Sequence, residues 1–344
     1  MARLRFREGD FVETSEGLIF DVKGLVHPPN RIVAFVRYFP DEKGSRERGR
    51  STYDKVYSFS DRYRLLKEKY PQYLVHDPMF DETMCEVPVD RVKKRYGPIA
   101  KLRLLENSRD LDPLESKTLR LTAFLRERSN IPKDKIGVTG SILVCLHNVN
   151  SDIDVVVYGS TNCRKVNMML KQVLNDLNSP FEAYSSNDLK RLFDFRSKDT
   201  AISFENFVRT ESKKAFQGKF MDTDYFVRFV KDWDESDEKY GDVQYEALGQ
   251  AKVKATVMDD SESIFTPCRY RLENVKPVNG WKSCPVSEIV SFRGRFCEQA
   301  KSGELVEAQG KVEKVTYLKT NQAHFRLLIG NNFSDYMVPV RPER

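Results

Sequence analysis

Val138-Thr139-Gly140-Ser141-Ile142-Leu143-Val144-Cys145-Leu146-His147-Asn148-Val149-Asn150-Ser151-Asp152-Ile153-Asp154-Val155-Val156-Val157-Tyr158-Gly159 is the stretch on which the reading of this chain turns. Asp152 and Asp154 stand two residues apart where an apolar run begins. Side chains alternate along a strand, so this spacing puts both carboxylates on one face. Two carboxylates side by side repel. Either a cation settles between them or one keeps its proton. Mg²⁺ is the natural cation, a hard ion that takes oxygen ligands and substrate phosphates. Upstream, Gly140-Ser141 ends the short strand Ile136-Gly137-Val138-Thr139 and precedes a predicted helix. Glycine lets a backbone come close to a phosphate, Ser141 supplies a hydroxyl, and amides at a helix start favour an anion. Together these residues point to phosphoryl chemistry, with carboxylate-held metal bridging a nucleotide's phosphates in an in-line displacement.

Around this stretch, helix and strand alternate. Asp112 is a good N-cap, Pro113 suits the first helical position, and Glu115 stands where a capping-box acid belongs. The helix runs through Leu114, Leu121 and Leu125, with Pro132 beyond it. After the acids, Ile153 to Tyr158 reads as a strand. Val166, Met169, Leu170, Val173, Leu174 and Leu177 then recur at i, i+3, i+4, i+7, i+8 and i+11, one apolar face of a helix stopped by Asn178-Ser179-Pro180.

The flanks read differently. Residues 1 to about 105 are strand-rich. Phe11-Val12-Glu13-Thr14 and Leu18-Ile19-Phe20-Asp21-Val22 flank a Ser15-Glu16-Gly17 turn, and Ile32 to Tyr38 follows Pro28-Pro29-Asn30. Asp41 to Arg50 reads as an exposed loop, and Arg62 to Tyr70 as a short basic helix ending before Pro71. Residues 261 to 344 again read as β, with Leu305 to Val315, Phe325 to Ile329 and Tyr336 to Val338 as strands of a small antiparallel barrel. The expected architecture is α+β: a β-rich domain over 1–105, a mixed-sheet domain over 106–260, and an OB-like barrel over 261–344.

Composition narrows the class. Of 344 residues, 40% are hydrophobic and 31% charged, with 22 Phe and 15 Tyr, enough for real cores. No apolar run approaches the ~20 residues that span a bilayer. The charged N-terminus lacks the apolar stretch of a signal peptide, so a soluble, cytoplasmic protein is expected. Cys85, Cys145, Cys163, Cys268, Cys284 and Cys297 are widely spaced without a C-x-x-C pair, which reads as free buried thiols rather than zinc. A net charge of +6 permits an anionic partner such as a nucleotide or RNA.

Gly140-Ser141, ten intervening residues, then Asp152-x-Asp154 and an apolar strand resembles the signature of DNA polymerase beta superfamily nucleotidyltransferases. CCA-adding enzymes, poly(A) polymerases and minimal nucleotidyltransferases share it. More narrowly, the order Gly-Ser, Leu-His-Asn, Ser-Asp-Ile-Asp, Val-Val-Tyr-Gly is similar to archaeal proteins called predicted nucleotidyltransferases. The motif covers about 20 residues, and the wider resemblance about 110–230.

The resemblance implies a nucleotidyltransferase palm in the middle segment. Asp152 and Asp154 would bind Mg²⁺ or Mn²⁺, and Gly140 and Ser141 the phosphates of an NTP such as ATP. An NMP would pass to a hydroxyl, with pyrophosphate released. RNA, tRNA included, is the first acceptor. A protein or small-molecule hydroxyl is the second. A non-catalytic RNA-binding protein on a degenerate palm is the alternative from another class. The third carboxylate of such a site has two main candidates, Glu182 and Asp224, with Asp259 and Asp260 behind them. The family often places an Arg soon after Gly-Ser. Here Ile142, Leu143, Val144, Cys145 and Leu146 are apolar, so the cation must come from elsewhere, with Lys213, Lys214 and Lys219 as candidates.

His147, between Ser141 and the acids, reads either as a substrate contact or as a simply hydrogen-bonded loop histidine. His27 reads as structural. Arg91-Val92-Lys93-Lys94-Arg95-Tyr96 reads as a solvated linker ahead of an RNA-phosphate contact. Arg269-Tyr270-Arg271 and Phe292-Arg293-Gly294-Arg295-Phe296 fit base stacking in a barrel and ordinary strand alternation equally.

Overall fold

The computed structural model describes residues 5–176, 178–281 and 285–340. Its contacts divide the chain into two units. The first takes residues 1–74, 85–183 and 215–237, the second 75–84, 184–214 and 238–344. The fold is mixed α+β with three sheets.

The chain opens with an antiparallel meander of β1 (Phe11–Thr14), β2 (Ile19–Val22) and β3 (Arg31–Pro40), extended by the hairpin β4 (Arg46–Arg48) and β5 (Ser51–Lys55). Part of the expected 41–50 loop is therefore strand. Helix α1 (Phe59–Lys69) starts where the Ser58 hydroxyl accepts the Asp61 amide. It is followed by β6 (Leu74–Asp77), β7 (Glu82–Pro88) and β8 (Val92–Tyr96), with β7 pairing on β3 and β8 on β1.

One irregularity in this sheet matters later. Ile19 pairs with Tyr38 and Phe20 with Val36, so Arg37 is an extra residue in β3, a β-bulge. Val36 joins the core with Val12, Phe20 and Leu66. Tyr38 joins a different core with Phe11, Ile19, Tyr53, Leu143, Val144 and Leu146.

After α2 (Pro98–Glu106) comes α3 (Pro113–Ser129), capped as its sequence requires: Asp112 accepts the amides of Leu114 and Glu115. Glu115 pairs with Lys101 at 3.2 Å. Then come β9 (Ile136–Val138), the single turn α4 (Gly140–Leu143), β10 (Ile153–Tyr158), α5 (Ser160–Val173) and β11 (Phe181–Glu182). Leu174 lies just past α5, and Leu177 falls outside the described residues. The chain visits the second unit through α6 (Ser186–Arg196) and α7 (Phe204–Glu211), then returns with β12 (Gln217–Phe220) and β13 (Thr223–Val230). The sheet order is β11-β12-β13-β10-β9. Only β10 and β13 run parallel, so they need a long crossover. Helices α3 and α5 cover one face, where Phe124 meets Phe181 at 5.2 Å.

The other face carries Asp154, Val156 and Arg228 and meets the N-terminal sheet within the same unit. Arg228 donates to Glu8 at 2.6 Å and Asp21 at 3.3 Å, and Lys23 pairs with the same two acids. Thr139 donates to the Gly9 carbonyl at 2.8 Å. The basic run is ion-paired here, not a solvated linker. Arg95 holds Asp10 at 2.8 Å, and Tyr96 bonds both Arg48 and Glu13. His27 is structural: it bonds the Phe6 carbonyl and the Val33 amide, and burial pushes its pKa down to about 4.

In the second unit, β14 (Val243–Asp259), β15 (Cys268–Gly280), β16 (Glu288–Ser291), β17 (Leu305–Tyr317) and β18 (Gln322–Leu328) pair in the ring β14-β15-β16-β18-β17-β14. A last strand, β19 (Tyr336–Pro339), sits on β17. The ring thus begins at Val243, earlier than the boundary at 260 drawn from the sequence, because β14 pairs with both β15 and β17. Tyr270 and Phe296 are buried, and the Tyr270 hydroxyl donates to the Phe296 carbonyl, so these aromatics belong to a core rather than a stacking surface. Cys85, Cys163, Cys268 and Cys297 are buried free thiols, whereas Cys145 is exposed; Cys284 lies outside the described residues. No helix among the described residues is long and apolar enough to cross a membrane.

Arg228→Met would leave Glu8 and Asp21 buried with Lys23, and Arg37 beside Asp21, as their remaining cations. The expected loss is about 3 kcal/mol of unfolding free energy, read by urea denaturation. A change below about 1 kcal/mol would show that the contact does not hold the two sheets together.

Candidate active site

The two acids stand where the sequence puts them. Asp152 is exposed just before β10, and Asp154 is half-buried as its second residue. They share one electrostatic neighbourhood. Burial, then the like charge of Asp152, push the Asp154 carboxyl up to about 7, against the pull of Arg228, Lys55 and Arg37.

The glycine-serine bend touches Asp154 directly. The Thr139 amide donates to the Asp154 carbonyl at 2.9 Å. Gly140 follows at φ +64°, and a β-carbon there would stand 2.7 Å from the Asp154 carboxyl carbon. Only glycine meets both conditions. The Ser141 side chain is buried beside the acid, and its hydroxyl has no hydrogen-bond partner among the described residues. A buried hydroxyl without a partner is costly, so this one is suited to a ligand.

The apolar run after the bend has a structural cause. Leu143, Val144 and Leu146 pack against Phe11, Ile19, Tyr38 and Tyr53 of the N-terminal sheet. An arginine at any of those three positions would have to be buried in that core, whereas Cys145 between them is exposed. The cations come from the opposing sheet instead. Arg37 and Lys55 both act on Asp154, and Lys55 feels Asp152 as well. Burial, then the charge of Arg37, bring the Lys55 ammonium down to about 8. Arg46 donates to the Leu146 carbonyl at 2.8 Å and the Ser151 hydroxyl at 2.9 Å, which pins the loop leading into Asp152. Sequence reasoning missed these residues. The one signal was Arg37 itself, a charge at the end of the apolar run from Ile32.

The lysines proposed from sequence lie elsewhere. Lys214 is buried in the second unit against Glu211, Gln299 and the Arg295 carbonyl, and Lys213 stands 3.9 Å from Glu304. Lys219 is in the five-stranded sheet, opposite Asp224.

The third-carboxylate candidates separate by strand order. Ile153 pairs with Tyr225, and Asp152 and Asp224 each sit one residue before that pair. Asp224 faces Lys219, which faces Glu182. Residues directly opposite share a face, so all four lie in one row on the face of Asp154. With strands about 4.8 Å apart, Asp224 is one strand from the pair and Glu182 three, roughly 14 Å. Asp259 and Asp260 belong to the ring of strands in the second unit, where they bond the amides of Ser261 and Ser302.

His147 is a clasp. Its Nε2 bonds Asp112 at 2.6 Å and so ties the start of α3 to the loop before the acids. Asp112, Glu115 and His147 bring donor atoms within 4.8 Å of one another. Each acid there is already engaged, Asp112 by two helix amides and Glu115 by Lys101.

Because folding raises the Asp154 pKa, the folded chain keeps a proton that the unfolded chain releases. Stability therefore falls as pH rises from 3.8 toward about 7. Asp154→Asn removes this loss. Its melting temperature should gain on the wild type between about pH 5 and about pH 8. A difference that stays constant across that range would contradict the assignment.

No protein-family model and no solved structure matches this chain. It is 32% identical over 345 residues to the uncharacterized protein MJ1086 of Methanocaldococcus jannaschii, an alignment that covers 97% of this chain and 99% of that protein. Identity at that level over both full lengths is a relation of whole proteins, and the chain belongs to the family that includes this archaeal protein.

Proposed function

We propose that this chain is a metal-dependent nucleotidyltransferase that moves a nucleoside monophosphate from an NTP to a hydroxyl and releases pyrophosphate. One observation carries the reading: two carboxylates at the start of β10, Asp154 in contact with a glycine bend and near a buried serine hydroxyl that has no partner among the described residues. The order β11-β12-β13-β10-β9, covered by α3 and α5, supports a nucleotidyltransferase palm. The ring β14-β15-β16-β18-β17, with its one parallel pair β16–β18, supports an OB-like barrel.

The donor set fits a hard divalent cation. It offers oxygen ligands only, and the Asp152–Asp154 repulsion is of the kind an ion between them relieves. Mg²⁺ or Mn²⁺ bound there would polarise phosphate oxygens and make the acceptor hydroxyl more acidic. Asp152 and Asp154 would hold the ion. The Ser141 hydroxyl donates to a phosphate oxygen, and Gly140 leaves room for it. Asp224, one strand away on the same face, takes the proton of the attacking hydroxyl on its carboxylate. Arg46 keeps the loop before Asp152 in register.

RNA is the first acceptor we propose, supported by the net charge of +6 and by the OB-like reading of the ring. Incubation with each labelled NTP, Mg²⁺ and total cellular RNA or protein assigns the acceptor by where the label appears. Asp152→Asn, Asp154→Asn and Asp224→Asn should each lower transfer by about a hundredfold or more, and Glu182→Gln by less than about threefold. Full activity in Asp152→Asn/Asp154→Asn would end the reading. Equal losses in Asp224→Asn and Glu182→Gln would remove Asp224 from its role.

A further inference from the structure

We propose that Arg37 and Lys55, both from the N-terminal sheet, form a polyphosphate-binding subsite facing Asp152 and Asp154. The subsite rests on the nucleotidyl-transfer reading and specifies which part of the nucleotide this sheet receives.

The backbone presents these two side chains deliberately. In a regular strand, Val36 and Tyr38 would share a face. They lie in different cores because Arg37 is inserted between them. The bulge leaves Arg37 unpaired in the ladder and within electrostatic reach of Asp154. Lys55 pairs with Tyr38 on the neighbouring strand, and the Val56 amide bonds the Arg37 carbonyl, so both cations sit at one place on the sheet. That place is fixed against the acids. Tyr53 of β5 packs with Leu143, Val144 and Leu146, and Arg46 of β4 holds Ser151, the residue before Asp152.

Their pairing sets them apart. Arg48 has Glu13, Arg228 has Glu8 and Asp21, Lys23 has the same two acids, and Arg95 has Asp10. Among the described residues, Arg37 and Lys55 make no ion pair, although both are half-buried. The ring of Tyr57, 5.0 Å from the Lys55 ammonium, is an exposed and weak neighbour. Two like charges held side by side without direct partners are a standing cost unless an anion joins them.

Charge balance names that anion. Asp152 and Asp154 act on Lys55, and Asp154 acts on Arg37 together with Asp21, which Lys23 and Arg228 already hold. Once a divalent ion engages both acids, Arg37 and Lys55 lose that compensation, and a compact polyanion next to the ion restores it. A guanidinium binds phosphate oxygens in a two-pronged fashion and an ammonium binds them as a point charge. A triphosphate chain, and the pyrophosphate that leaves after transfer, has the required charge density and size.

Calorimetric titration of inorganic tripolyphosphate into the full chain with Mn²⁺ tests the subsite. Arg37→Met and Lys55→Met should each weaken binding about tenfold and the double variant about a hundredfold, while Lys55→Arg stays within about threefold of wild type. Mn²⁺ alone should bind all four variants at least as tightly as wild type. A double variant that holds tripolyphosphate within about threefold of wild type, with Mn²⁺ bound, overturns the subsite and leaves the nucleotidyl-transfer reading intact. A wild-type chain that binds neither Mn²⁺ nor Mn²⁺-ATP overturns both.

Discussion

Two carboxylates forced onto one face of a strand are the constraint around which the first unit is arranged. Burial, and then the charge of Asp152, make Asp154 hold its proton well above the usual carboxylate range. Its surroundings are built for closeness: a glycine with no side chain at the point of contact, a hydroxyl with no partner among the described residues, and strands that keep the pair in register with Asp224. Carboxylates perturbed in this way cluster at functional sites.

The N-terminal sheet is the other half of this arrangement. It is a packing layer, since Tyr38 and Tyr53 seat the residues that follow the glycine-serine bend. It also adds positive charge around the acids, with Lys55 and Arg37 acting on Asp154 beside Arg228 of β13. The network of Arg228, Lys23, Glu8 and Asp21 joins the two sheets under the site. Leu143, Val144 and Leu146 after the bend are thus core contacts, and the cations stand on the strands around them.

Much of this was legible in the sequence, and the limits have physical causes. The Asp-x-Asp spacing, the Asp112 cap and the apolar face from Val166 are local signals, and β10, α3 and α5 follow them. The OB-like reading came from strand propensity alone, which cannot say which strands pair. That is why Val243–Asp259 was assigned to the wrong side of a boundary. Arg37 and Lys55 escaped because their place depends on a bulge and on charges about 100 residues distant along the chain, and neither leaves a periodic trace. Glu182 and Asp224 looked equivalent because sequence distance says nothing of strand order. Leu174 continued the helical period, yet the helix ended one residue earlier.

The inserted residue in β3 also bears on how such a sheet can arise. A strand with strict alternation offers one face to one core. Adding a single codon at position 37 places a guanidinium in the strand, while the bulge leaves Tyr38 and everything downstream on the faces they already had, so no new fold is needed. A purely architectural layer can in this way acquire chemistry in one mutational step. The reverse event, loss of that codon, would keep Tyr38 opposite Ile19 and withdraw the guanidinium alone.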